Sequence, residues 1–194
     1  MMRSVLRAAI AVLVLAVLTG LVYPLVMTGI AQVAFRGGAD GSIVKVHAKP
    51  VGSSMIGQAW SGPEWFYGRP SAVSYDAATS SGTNLGPASK TLDQDIAKTA
   101  DAIIKLESPY HPGLTVGQIP DDLLTSSGSG LDPDITPAAA TFQAPRIAAA
   151  RHLPLSRVMS LIDEHTTGRT LGFLGMPRVN VLELNLALQR LASG

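Results

Sequence analysis

The chain has 194 residues, 15 basic and 14 acidic side chains, a formal net charge of +1 and no cysteine. Acids and bases are interspersed, so there is no basic field to hold nucleic acid. Without cysteine, disulfides, thiolate nucleophiles and cysteine-type zinc sites are all excluded.

From Ala8 to Phe35 no residue is charged, and Arg7 and Arg36 close the run on either side. A helix of roughly 28 residues is about 42 Å long, more than the ~30 Å hydrocarbon core of a bilayer, so the run reads as a membrane span. A cleavable signal peptide fits less well. Its apolar core is ~7–15 residues long and ends in an A-x-A-like site, whereas here the apolar run passes Gly20 without one. Pro24 predicts a kink near Gly20–Pro24. Ala16, Gly20, Pro24 and Thr28 recur at every fourth position. They form a small or polar face on which another membrane helix can dock, unless the spacing is a chance product of alanine and glycine. Arg3 and Arg7 on one side nearly balance Arg36, Lys45 and Lys49 on the other, so charge favours an external domain only weakly.

The remaining ~150 residues suffice for one globular domain. The expected division is an N-terminal stub and span over 1–36, a linker and first strand over 37–50, and the domain over 51–194. Ile43–Val46 alternates as a short strand, and Val51–Trp60 is the second candidate, with Ser54–Ala59 its defensible part. Trp65, Phe66, Tyr67 and Tyr75 lie among Gly62, Pro63, Gly68 and Pro70, which predicts an irregular loop wedged onto the core by its rings. Thr91 and Gln94 have capping-box spacing, so a helix is expected to start there and to stop before Pro109, with Leu92, Ile96, Ile103 and Leu106 on one face. Pro120 suits the first turn of a short helix over Ile119–Leu124.

Ser126–Pro137 is rich in small residues and carries two acids. A phosphate loop requires a following Lys-Ser/Thr, which is missing, and a calcium loop requires a closing glutamate, also missing. What remains is a structural turn or a partner-facing loop made of Ser127, Gly128, Ser129, Gly130, Asp132 and Asp134. Thr136 and Pro137 then predict an N-cap and first residue for a helix that contains Pro145. A further helix spans Leu155–Thr166. In it His165 adjoins Asp163 and Glu164, but adjacent helical residues do not face one another, so the trio is no automatic relay. Asn180 and Glu183 have N-cap and N3 spacing before an apolar stripe of Val181, Leu184, Leu188 and Leu191. The fold class is therefore α+β: one transmembrane helix and a helix-rich domain with a small sheet. A membrane-anchored enzyme using Asp132, Asp134 or His165 is the alternative function.

In order, Ile56–Gln58, Tyr67–Ala72, Thr83–Pro87, Ser127–Ala140, Gln143–Arg146 and Glu164–Leu188 resemble the C subunits of the Kdp potassium-transporting P-type ATPase, and the likeness spans the chain. The segment PASKTLDQ departs from the family pattern and puts the start of its helix in question. The resemblance implies a single-pass bacterial inner-membrane protein with a cytoplasmic N-terminus and an extracytoplasmic domain. Its partners are a channel-like potassium-translocating subunit and an ATP-hydrolysing subunit. Independently of the resemblance, neither an HExxH nor a GxSxG motif occurs, and His47, His111 and His152 share no spacing with His165, so no catalytic residue or metal site is expected. The chain alone is expected to bind no cofactor, ATP and potassium being handled by the complex. The family is described as a catalytic chaperone that raises ATP affinity, with Gln143 at the matching glutamine; the other role expected of the chain is as an element that shapes potassium access to the pore.

Overall fold

The computed structural model describes residues 2–192 and divides the chain into two compact units, 1–53 and 54–194. The first unit opens with α1 (Met2–Val17), a π turn (Leu18–Val22) and α2 (Tyr23–Ala34), together one apolar helix long enough to cross a membrane. The π turn has a local cause. Proline cannot donate to the carbonyl four residues back and its ring crowds that carbonyl, so the turn before Pro24 widens, and Tyr23 donates its N–H to Leu18, five residues away. Distortion thus falls where the sequence predicts a kink. Thr19 Oγ1 donates to the Leu15 carbonyl at 2.7 Å and satisfies a backbone oxygen within the apolar run.

A single turn, α3 (Arg36–Ala39), follows, and then β1 (Ile43–Val46) pairs antiparallel with β2 (Lys49–Ser53) from Ile43↔Ser53 to Val46↔Lys49. The first strand is as expected; the second is not. Val51–Trp60 does not form one strand: pairing ends at Ser53, and Ser54–Ala59 is irregular. The hairpin turns through His47 and Ala48, both at positive φ (48° and 65°). That geometry usually calls for Asn-Gly.

In the second unit the loop after Trp60 is irregular, as expected, and drives Phe66 into the core. Helix α4 (Lys90–Glu107) starts two residues after Pro87–Ala88, with Ser89 in extended geometry at its N-cap. The Thr91–Gln94 capping box does not form, because Thr91 already lies inside the helix. A capping box closes instead at Thr115 and Gln118, around a 3-10 turn over Val116–Gln118. Then come α5 (Asp121–Leu124), β3 (Asp134–Ile135), α6 (Pro137–Ala150), α7 (Leu155–Glu164), β4 (Thr166–Thr167), β5 (Arg178–Asn180) and α8 (Val181–Ala192). β5 is the central strand of a three-stranded antiparallel sheet, order β3-β5-β4, with Ile135↔Val179 and Thr166↔Val179 in register.

The core lies where α6, α7 and α8 meet this sheet. Ala139, Ala140, Ala144 and Ile147 of α6 pack with Val158, Leu161 and Ile162 of α7, Leu184 and Leu188 of α8, and Val179 of β5. Small alanines along α6 let the neighbouring backbones come close. Pro145 sits within α6 and leaves the Thr141 carbonyl without its helical donor, but Thr141 is exposed, so water can serve it. Asn180 Oδ1 accepts the Glu183 N–H at 3.1 Å, the N-cap that the spacing predicts. Thr136 Oγ1 likewise accepts the Ala139 N–H at 3.1 Å, while its own N–H donates to Asp122 at 2.7 Å. Thr136→Ala is expected to destabilise the chain by about 1–2 kcal/mol in chemical unfolding, and Thr136→Ser by much less; equal effects of the two would show that the hydroxyl is not the cap.

Candidate interaction site: a braced aromatic loop and the groove beside it

The aromatic loop is held by side chains from distant helices. Asn185 on α8 accepts the Phe66 N–H at 2.9 Å and donates to the Phe66 carbonyl at 3.0 Å. Gln143 on α6 does the same for Tyr67, accepting its N–H at 2.8 Å and donating to its carbonyl at 3.1 Å. Each primary amide thus imitates the edge of a neighbouring strand for one residue of the loop. Arg146, one turn beyond Gln143, is 0% exposed. It donates to Glu107 Oε1 at 2.7 Å, to the Trp65 carbonyl at 3.0 Å, to the Pro63 carbonyl, and to Gln143 Oε1 at 3.0 Å. Its guanidinium carbon also stands 5.0 Å from the Tyr67 ring centre. A second layer comes from Arg151, which donates to the Glu64 carbonyl at 2.8 Å and lies 4.3 Å from the Trp65 ring centre. One irregular segment, Pro63–Tyr67, is therefore pinned by four side chains.

Burial sets the electrostatics. Glu107 is 2% exposed. Desolvation pushes its carboxyl above the usual range even though Arg146 beside it pulls the other way, and among the described residues its Oε2 has no hydrogen-bond partner. Burial likewise lowers Arg151, with Glu64 opposing. The Tyr75 phenol is pushed up to about 12, by burial first and then by the charge of Asp132. It donates to the Arg69 carbonyl, so at neutral pH it is a fixed, uncharged strut.

The segment 126–137 runs along the same loop. Ser127 and Gly130 are buried, and Gly128 and Ser129 are exposed. The Gly130 carbonyl accepts from Ser71, the Ser129 carbonyl from Ser81, and the Leu131 carbonyl from Gly57. Gly57 has to be glycine: a Cβ there would stand 2.4 Å from the Asp132 carbonyl oxygen and 2.7 Å from the Tyr75 ring. Asp132 pairs with Arg69 at 3.3 Å, and Asp134 pairs with Arg178 at 3.1 Å. Burial nonetheless raises the Asp134 carboxyl, against the pull of Arg178. His165 ends α7 with Nδ1 2.9 Å from the Leu161 carbonyl, and Glu164 faces Ser160 and Arg157. The histidine and the two aspartates are thus each tied to different neighbours, an arrangement that does not favour the enzyme alternative.

Beside the loop, two adjoining clefts share Pro70, Thr99 and Ala102 and form a groove along α4. The first, about 210 Å3, is walled by Tyr67, Ile103, Leu106, Leu123 and Phe142, with Gln143 and Glu107 also lining it. The second, about 690 Å3, runs past Leu92, Ile96, Leu124 and Ser126, with Asp95 and Lys98 also lining it. In the first unit, Ala16 and Gly20 share a shallow surface groove with Leu13 and Val17, and apart from the helix's own backbone nothing among the described residues lies within 4 Å of a Cβ placed on Gly20. Gly20 lies within the π turn itself, between Ala16 and the positions Pro24 and Thr28, so the fourfold spacing is not carried through on an unbroken α-helix.

Reading the sequence alone overlooks Glu107, Arg146 and Asn185. One cue was available: Arg146 interrupts the apolar face Ala144, Ile147, Ala148, and a cation in such a place is buried only with partners.

The matching proteins point one way. A family model described as "K+-transporting ATPase, c chain" matches residues 5–190. The potassium-transporting ATPase KdpC subunit of Caldanaerobacter subterraneus subsp. tengcongensis is 51% identical, covering 91% of this chain and 89% of its own length. That of Ralstonia nicotianae is 51% identical over 95% and 90%, and that of Herpetosiphon aurantiacus 47% identical over 99% of each. With matches of this extent, together with an N-terminal apolar helix and a single mixed α/β unit behind it, the chain belongs to the KdpC family of potassium-transporting ATPase subunits.

Proposed function

We propose that this chain is a non-catalytic accessory subunit that assembles and stabilises an ATP-driven potassium uptake complex. Its partners in this reading are a channel-like potassium-translocating subunit and an ATP-hydrolysing P-type subunit. The observation that carries the proposal is the use of the buried polar side chains: Gln143, Arg146, Glu107 and Asn185 serve to hold a surface-forming loop beside an apolar groove. A site that shapes a surface suits a protein whose work is contact.

The N-terminus is placed in the cytoplasm and the domain outside it, in a bacterial inner membrane, with the span docking through the Ala16–Gly20 side and the segment around Pro24 and Thr28. ATP and potassium are handled by the assembled complex. From outside the cytoplasm, any rise in ATP affinity passes through the other subunits, and Gln143 contributes by holding Tyr67 in place. Gly128 and Ser129, the exposed part of the 126–137 loop, are available to a partner, while Ser127 and Gly130 are buried and Asp132 and Asp134 are held by Arg69 and Arg178.

The test is to express the complex with and without this chain. Without it, the other two subunits are expected to separate during purification and potassium-stimulated ATP hydrolysis to fall; unchanged assembly and activity would refute the role. Protease added to intact spheroplasts is expected to cleave the domain, and full protection would reverse the orientation.

A further inference from the structure

Between β4 and β5 the chain makes a tight hairpin whose apolar side chains point into solvent. Leu171 is 80% exposed, Phe173 67%, Leu174 49% and Met176 65%. Single exposed apolar residues are ordinary, but four large ones within six positions are not. The hairpin is also pre-formed. Thr170 and Leu174 exchange both backbone hydrogen bonds at 2.9 Å, the Gly172 N–H donates to the Arg169 carbonyl at 3.1 Å, and the turn passes through Leu171 and Gly172 at φ 55° and 82°. Its base is fixed, because β4 and β5 pair and β5 leads directly into α8, whose Asn185 braces the loop at Phe66.

Charge narrows the choice of occupant. From His165 to Leu182 there is no acidic residue, while Arg169 and Arg178 are both present. Arg178 is taken by Asp134, whereas among the described residues no carboxylate pairs with Arg169, whose Nη2 lies 3.8 Å from Met176 Sδ beside the apolar tip. One uncommitted cation is little for adhesion to an anionic bilayer, which relies on several, and lipid makes no demand for a preset shape. A rigid tip with a single cation at its flank suits a complementary protein pocket.

We propose that the Gly168–Pro177 hairpin is a docking plug, and that its occupant is an apolar pocket with a carboxylate at its rim on another subunit of the same transporter. Leu171 and Phe173 fill the pocket and Arg169 pairs with the rim. This rests on the accessory-subunit reading.

The experiment uses the whole complex. A benzophenone amino acid at position 173, with one at exposed Asp101 on α4 as control, is activated by light in membranes, and the products are identified by mass. Position 173 is expected to cross-link to one other subunit, within a short peptide containing Asp or Glu. Adducts only with lipid, or only with a second copy of this chain, would overturn the proposal, as would no product at all. In parallel, Leu171→Ser with Phe173→Ser is expected to lower co-purification by about tenfold or more, and Arg169→Glu to lower it by less and to make it salt-sensitive, with the unfolding transition of the chain unchanged in both. Wild-type co-purification of the double variant sinks the plug while leaving the accessory role standing. Failure of the wild-type chain to co-purify sinks both.

Discussion

Arg146→Met is expected to cost about 3–5 kcal/mol, a large share of the ~5–15 kcal/mol by which a domain is stable, because it leaves the Glu107 carboxylate buried without its counter-charge and the Pro63 and Trp65 carbonyls without their donor. The loss should depend on pH in a defined direction. Burial already holds the Glu107 carboxyl above its ordinary 4.5, and removing Arg146 raises it further. A carboxyl raised in the folded state helps the fold below its unfolded value and loses that help as pH climbs through the folded one. The stability gap between wild type and Arg146→Met is therefore smallest near pH 4.5 and widens towards neutrality. In the double variant with Glu107→Gln the gap should be nearly flat. Denaturant unfolding of the full chain in detergent across this range is the measurement, and a gap independent of pH in the single variant would mean that Glu107 is not the group left exposed to the change.

Gln143→Ala comes second in size. It strips the partner from both the N–H and the carbonyl of Tyr67 and one acceptor from Arg146, with an expected loss of about 2–4 kcal/mol. Trp65 is two residues from Tyr67 and its ring packs at a tilt 5.1 Å from that of Trp60, so the loosened loop should report itself as a red shift in tryptophan emission. The result separates two roles for this glutamine. As a clamp, its loss alters stability and emission in the chain by itself, and any change in the ATP affinity of the complex follows from that. If instead the isolated variant keeps wild-type stability and emission while the complex loses ATP affinity, Gln143 acts on a ligand directly and the clamp is wrong.

The residues that could be read from the sequence are those whose structural cause lies within a few positions. Thr136 with Pro137, and Asn180 with Glu183, start helices because a capping side chain reaches only two or three residues ahead. Pro24 disturbs the apolar helix next to itself for the same reason. Misreadings arose where a competing local option won. Ser89 displaced Thr91 as the cap of α4, and His47–Ala48 made a hairpin turn with neither asparagine nor glycine, so β2 ends at Ser53 instead of running to Trp60. The exposed hairpin at Leu171–Met176 is readable as a glycine-punctuated loop, but its solvent-facing side chains are a fact of packing alone. The bracing network was out of reach of any local pattern. Nothing near Phe66 in the chain announces Asn185, and periodicity on α6 marks Gln143 and Arg146 only as inward-facing.

Those distances along the chain have a consequence for how the protein is made. Phe66 meets Asn185 across 119 residues, and Tyr67 meets Gln143 across 76. Synthesis proceeds from the N-terminus at about 5–20 residues per second, so once Phe66 has been joined to the growing chain, Asn185 follows only some 6–24 seconds later. Until α8 arrives, Phe66 has no partner for its backbone and no finished core to enter. Closing loops this long is entropically expensive and slow, so the last helix is what commits the domain to its fold. A nascent chain halted between α6 and α8 should carry Tyr67 already clasped by Gln143 while Phe66 remains loose, a half-latched intermediate exposed to chaperones and proteases for the time α8 takes to be synthesised.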